Sequence, residues 1–233
     1  MADAATLKAR VAQIFREAWT TREGQKVPDP GDVKLGNDAV EFEKATILYA
    51  DLSGSTDLVN AHGWTFAAEI YKTYLHCAAT IIRDEGGSIV SYDGDRVMGV
   101  FIGDPQTTPA ARAGLKINYA VQEIINPALK AQYPSNTFVV RQVVGIDTSP
   151  IRAARTGVRG DNDLVWVGRA ANYAAKLTEL KLDERTWITK EAYDRLTDDA
   201  KFGGANRTLM WKFYRWSQMN DHPIYGSTWR WSL

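Results

Sequence analysis

The chain predicts an α+β fold with an antiparallel-rich sheet and helices on one face. Three observations predict it. The apolar run "ATILYAD" at 45–51 has the length and flanks of a buried strand, and a long amphipathic helical pattern follows it. Next comes a hairpin signature around Asp93-Gly94. The order then reads strand, helix, hairpin, helix, strand, strand, helix, strand. Those strands exceed what one helix per strand would need, which fits a split βαβ arrangement.

Leu7, Val11, Ile14, Phe15 and Trp19 recur at helical spacing, so residues 3–20 predict a helix. Pro28, Pro30 and three glycines make 21–43 a loop, so 1–44 reads as an N-terminal helix and linker. A strand at 45–51 and a helix at 63–87, ended by Gly86-Gly87, open the main domain, 45–200. Two short strands fill 88–103. A helix at 108–132 starts near Pro109 and is ended or kinked at Pro127. A strand at 137–148 is expected to pair with 151–160, followed by a short strand at 163–168 and an Ala-rich helix at 169–181. "TWIT" and "KEAYDRL" continue the pattern. Four of the eight tryptophans fall in the last 25 residues, so 201–233 reads as a strand and aromatic tail packed on the domain.

Bulk properties exclude several classes. The 28 basic and 28 acidic residues cancel, which argues against a nucleic-acid or anionic-membrane binder but leaves room for a small phosphorylated ligand. Cys77 is the single cysteine and there are three histidines, so neither an internal disulfide nor a Cys/His zinc site is expected; Cys77 reads as a core residue. No run of 18 apolar residues and no apolar signal core occur, so a cytoplasmic protein without an integral membrane segment is expected.

Three stretches carry chemistry. In "YADLSGST" a strand delivers Asp51 at its C-terminal end, and small residues at 53–56 let backbone amides approach a ligand closely. Carboxylate oxygens suit a hard divalent cation, although a helix cap and turn would explain the same letters. In "YDGDRVMGVF" hairpin geometry accounts for Asp93 and Gly94, and Asp95 is expected to begin the following strand. If the hairpin lies beside 45–51, Asp51 and Asp95 meet, and two carboxylates sharing a site repel unless a cation lies between them. In "WVGRAANYAAKL" Asn172 and Lys176, four apart, project from one face of an otherwise bare helix; a solvated polar face is the plainer reading of that pair alone.

Together the three stretches, in this order and over about 45–200, resemble the class III nucleotide cyclase catalytic domain. The resemblance implies a ferredoxin-like fold and a head-to-tail homodimer with two composite interface sites. It implies attack of a ribose 3′-OH on the α-phosphorus of a nucleoside triphosphate, giving a 3′,5′-cyclic nucleotide and pyrophosphate. Carried over, Asp51, Asp95 and the Leu52 carbonyl hold two Mn²⁺ or Mg²⁺ ions. The amides around Ser53, Gly54, Ser55 and Thr56 cradle the phosphates. Asn172 of the partner subunit orients the ribose. Lys176 stands where the family usually has an arginine, and offers a point charge in place of a planar fork. Arg152, Arg155 and Lys212 are candidates for the cation on the distal phosphates.

The base pocket departs from the purine cyclases. The Lys and Asp that read adenine fall on Ser91 and Val165, and the Glu and Cys that read guanine are also absent. With Asp93 and Tyr49 these are the expected base-binding positions. Tyr49 shares a strand face with Asp51; in a two-fold dimer Tyr49 of the partner subunit would point into the base pocket and narrow it in favour of a smaller base, although core packing would also explain it. In this the chain looks like the pyrimidine cyclases of the Pycsar antiphage system. That likeness implies UTP rather than CTP as substrate, cUMP as product, and a downstream cyclic-nucleotide receptor effector in antiviral signalling. Alternatives are an adenylate or cytidylate cyclase and a cyclase-like sensor without catalysis. A further one is a metal-dependent binding module, because Asp51–Ser55 matches the Asp-x-Ser-x-Ser cation site of von Willebrand A-type domains, which needs a parallel doubly wound sheet.

Overall fold

In the computed structural model, which describes residues 3–233, the strand expected at 45–51 is far longer: β2 runs Asp38–Leu52. Helix α1 (Ala4–Arg16) and a short β1 (Thr20–Glu23) precede it, and β1 pairs in parallel with the first part of β2. Residues 38–44, read as linker, are thus strand, and a boundary at 44 falls inside β2. The bulge between Phe42 and Ala45 explains the misreading, because it breaks the two-residue alternation that marks a strand.

The chain continues through α2 (Ser55–Ala61), α3 (Trp64–Asp84), and the hairpin β3 (Ser88–Asp93) and β4 (Arg96–Phe101). Helix α4 (Thr107–Tyr119) passes through one wide π turn, Ala120–Ile125, into α5 (Asn126–Gln132). Pro127 follows directly on the π turn, so it does not end the helical run but lies where the regular α ladder is interrupted. Then come β5 (Gln142–Val158), β6 (Asp161–Val167), α6 (Arg169–Leu177), β7 (Thr186–Thr189), α7 (Lys190–Asp194) and α8 (Asp198–Lys201). A two-stranded pair, β8 (Phe202–Gly203) and β9 (Thr208–Leu209), leads to β10 (Lys212–Trp216) and β11 (His222–Ser227).

Among the described residues one sheet has the order β10-β11-β7-β5-β2-β4-β3, with β1 added to β2 and β6 to β5. Its pairs are antiparallel except β1–β2 and β5–β7, which rules out the parallel doubly wound sheet of the adhesion-domain alternative. The expected return of 151–160 onto 137–148 does not occur. Both belong to the single strand β5 or its approach, and 152–158 pairs with 161–167 instead. The C-terminal segment supplies β10 and β11 to the sheet, with Trp211 and Trp216 buried.

The alternation of β2 sorts the cores. Leu48, Ala50 and Leu52 face α3 and α4 in the larger one, with Ile70, Tyr74, Ile82 and Leu115. Ala45 and Ile47 face the other side, where α6 lays Ala170, Ala171 and Ala174 against them. Helices therefore sit mainly on one face, and α6 covers the other. Its close approach depends on Gly145, whose added Cβ would overlap the Ala174 carbonyl oxygen. Gly145→Ala is expected to destabilise the protein by about 1–3 kcal/mol or more in thermal or denaturant unfolding, because helix backbone cannot yield as a flexible side chain can. An unchanged melt would mean that α6 packs less tightly on β5.

Candidate active site

The site grows from the C-terminal end of β2. The Ser53 N–H donates to the Arg141 carbonyl at 2.9 Å, which makes 53 and 141 a bonded pair. By the alternation of an antiparallel ladder, the Leu52 carbonyl turns away from β5 toward the side of β4. There Asp51 lies opposite Arg96, and Arg96 opposite Asp93, so the next step along the ladder brings Leu52 beside Asp95. Asp95 does not begin β4. It is the second residue of a two-residue turn whose first, Gly94, has φ +61°. Hairpin geometry thus involves Asp95 as well as Gly94, and it fixes the carboxylate at the sheet end.

Electrostatics bring the two carboxylates together. Burial first, and then the Asp95 charge, raise the Asp51 carboxyl to about 6, with Arg96 opposing the rise. Tyr74, fully buried on α3, has a hydroxyl without a hydrogen-bond partner; burial pushes its pKa up, and both aspartates add to the shift. A half-buried aspartate repelled by a second one, with a strand carbonyl beside them, is a donor set that fits a divalent cation with hard oxygen ligands. Among the described residues no group of three or more His, Cys, Asp or Glu side chains converges, so any cation here rests on the carboxylate pair and backbone oxygen.

The phosphate-loop positions divide. The Ser53 amide is committed to Arg141. Gly54, Ser55 and Thr56 lead into the first turn of α2, where N–H groups have no partner four residues back.

The expected base positions also divide. Tyr49, Met98 and Ser91 form one cross-strand row next to the row of Asp51, Arg96 and Asp93. Val165 is not in it: it pairs with Ala154, on the extension of β5 beyond the bulge. Asn172 and Lys176 are both exposed on α6, on the face of the sheet that carries Tyr49 and Asp51, and Lys176 Nζ lies 3.7 Å from Met219 Sδ.

The three basic candidates for the distal phosphate stand elsewhere in this chain. Arg152 pairs with Glu41, Arg155 with Asn162, and Lys212 lies over the Tyr214 ring on the far strand β10. Two arginines near the carboxylates were not singled out by sequence. Arg96 bonds Asp93 at 2.8 Å, lies 5.2 Å from the Tyr49 ring centroid, and keeps a buried Nε without a partner. Arg141 is exposed where its own carbonyl holds the loop after Asp51. The register of β2 with β4 would have revealed Arg96; nothing local marks Arg141.

No family model matches the chain. Solved structures share its fold. The adenylyl cyclase CyaB of P. aeruginosa superposes with TM-score 0.62 at 21% identity, over 81% of this chain and 95% of that one. The guanylyl cyclase Cya2 gives 0.64 at 17%, over 80% and 91%. The fold is that of the class III nucleotide cyclase domain.

Full-length relatives narrow this. A uridylate cyclase of Burkholderia cepacia is 53% identical over 234 residues, covering all of both chains. Those of Xanthomonas perforans and of a Rhodovulum species are 51% and 36% identical, over 94% and 96% of this chain and 94% and 95% of theirs. The chain belongs to the family of these uridylate cyclases. No helix among the described residues is long and apolar enough to cross a membrane.

Proposed function

We propose that the protein cyclises UTP to 3′,5′-cyclic UMP and pyrophosphate at composite sites in a homodimer. The carrying observation is the pair Asp51–Asp95 at the end of β2, with Asp51 held near 6 by burial and its neighbour's charge. The uridylate cyclase names of the full-length relatives support the substrate.

Asp51, Asp95 and the Leu52 carbonyl would hold two Mn²⁺ or Mg²⁺ ions. When bound, such ions neutralise phosphate charge and lower the pKa of the attacking hydroxyl. The amides of Gly54, Ser55 and Thr56 hold the β- and γ-phosphates, and Arg141 adds a cation at their edge. Asn172 of the partner subunit orients the ribose so that its 3′-oxygen faces the α-phosphorus. That oxygen bonds to phosphorus, the bond to pyrophosphate breaks, and the hydroxyl proton passes to solvent. The partner subunit's Lys176 offsets charge that develops on the phosphoryl oxygens.

Tyr49 and Arg96 favour uracil. The ring under the guanidinium narrows the pocket against purines. A guanidinium over that ring favours the uracil carbonyl over the amino donor that cytosine presents at the corresponding edge. The product would serve as a second messenger for a cyclic-nucleotide receptor in antiviral signalling.

Incubation with each of the four NTPs and Mn²⁺, followed by chromatography, is expected to give cyclic UMP as the main product. A purine product would overturn the base assignment, and no cyclic product from any NTP would overturn the whole reading. Tyr49→Ala is expected to relax the preference for UTP over ATP by about 10-fold or more, a typical range for reshaping one pocket wall. Unchanged selectivity would take Tyr49 out of the pocket.

A further inference from the structure

Helix α6 begins in a polar clamp outside the carboxylate corner. Arg169, its first residue, reaches back to Asp147 on β5 with a two-pronged contact: Nε to Oδ2 and Nη2 to Oδ1, both 3.1 Å. Nη2 also donates to the Thr148 carbonyl at 2.8 Å, and Nη1 to Glu191 on α7. The Asp147 side chain is 0% exposed and accepts a further bond from Thr189. The next residue is fixed too, since the Ala170 N–H donates to Ser149 Oγ at 3.0 Å. On the outer side His222 of β11 meets Glu191 at 3.0 Å, and its ring packs on Tyr173 at 5.2 Å.

Stability alone is a weak account of this arrangement. Desolvating a carboxylate and a guanidinium costs about what their attraction returns, and apolar residues of similar size often stabilise as well or better. What the fork supplies is orientation. A planar guanidinium bound through all three nitrogens, to two carboxylates and a strand carbonyl, fixes where the helix starts and how it is rotated. The rest of α6 gives little purchase, because its buried face is mostly alanine. Asn172 lies one turn after Arg169 and Lys176 one turn further.

We propose that Arg169, locked to Asp147, is a positioning residue for Asn172 and Lys176, and that the buried pair exists to hold these two in register with the substrate. This rests on the role given to Asn172 above. Arg169 touches no reacting atom; it acts through α6.

The test is a double-mutant cycle in kcat, with Mn²⁺ affinity measured by titration as a second readout. Arg169→Gln is expected to lower kcat by about 30–100-fold, the scale of an ångström-sized misplacement. KM for UTP should stay within about 3-fold, because metal and phosphate contacts belong to other elements. Mn²⁺ affinity should be unchanged. In an Asn172→Ala background the same substitution should cost less than about 3-fold, since the group it positions is gone. Arg169→Lys keeps the charge and loses the fork, so it should resemble Arg169→Gln; it also serves if the glutamine variant fails to fold. A slow Asn172→Ala enzyme that loses the full factor again on Arg169→Gln overturns the clamp and leaves the role of Asn172 standing. A fully active Asn172→Ala enzyme overturns both. Weakened Mn²⁺ binding, or full activity in Arg169→Lys, also overturns the clamp.

Discussion

Asp51→Asn protein is expected to lose at least about 10³-fold in cyclase activity and yet to melt higher than the parent at pH 7.5 without metal. The two effects share one cause. Asp51 is half-buried beside Asp95, and its carboxyl is raised from 3.8 to about 6. Above pH 6 the folded protein carries an ionised group in a place that disfavours the charge. The asparagine removes that cost along with the ligand. A shift of about two pKa units corresponds to nearly 3 kcal/mol, discounted here to about 1–2 kcal/mol because the carboxyl still meets water. For a chain of this length that raises the melting temperature by about 2–8 °C.

The pH dependence has a definite sign. As pH falls through about 6, the folded parent takes up a proton at Asp51 before the unfolded chain does, so the cost shrinks, and it has vanished below 3.8. The advantage of the asparagine variant should therefore be largest near neutral pH and disappear by about pH 4. Added Mn²⁺ should raise the parent's melting point and leave that of the variant nearly unchanged. Calorimetry at pH 7.5, 6 and 4, with and without Mn²⁺, checks all of this. A variant that melts lower at pH 7.5 would mean that Asp51 is not under the strain its surroundings imply.

What the sequence disclosed, and what it hid, follows from whether a feature is local. Helix α3 and the hairpin were legible because their periods and turn residues lie within one short window. The first half of β2 was not: "DAVEFEK" is charged, and the bulge at Glu43–Lys44 shifts its alternation. The same bulge hid the continuity of β5. Pro150 stands opposite the bulge, between Ser149 paired to Ala45 and Ile151 paired to Phe42, where the ladder asks nothing of it and β5 runs on. One irregularity in β2 thus accounts for errors a hundred residues apart.

The site divides along the same line. Asp51 and Asp95 were legible because a carboxylate at a strand end and another at a hairpin are marked by their neighbours in sequence. Arg96 was in view but unremarked, since only the β2–β4 register sets it over Tyr49. Asp147 and Arg169 are 22 residues apart on a strand and a helix, and nothing local joins them before the chain folds. Val165 is paired in the sheet with Ala154, away from the row of Tyr49 and Ser91, a placement that only the register of β5 with β6 discloses.

The proposed division of labour between subunits makes a quantitative prediction. Asp51→Ala protein should be inactive alone and Asn172→Ala protein slow but measurable, because every site in either homodimer lacks one of its parts. In a mixed dimer one site has lost both parts and the other has lost neither: the Asn172→Ala chain supplies the metal pair and the Asp51→Ala chain supplies the ribose contact. Random exchange at equal concentrations makes half of the dimers mixed, each with one good site of two, so activity should recover to about a quarter of the parent for two-fold symmetric dimers. Recovery should require time or mild denaturant for subunits to exchange, and should follow the square of dilution when the dimer dissociates. Mixing Asp51→Ala with Asp95→Ala is the control: both lesions lie in the same half, every mixed dimer keeps two damaged sites, and no activity should return. Recovery in the control would mean that the Asp51 and Asp95 of one site come from different chains. No recovery in the first mixture after demonstrated exchange would place the whole site within one chain. Asn172 and Lys176 would then act on the Asp51 of their own subunit, whose sheet face α6 already covers.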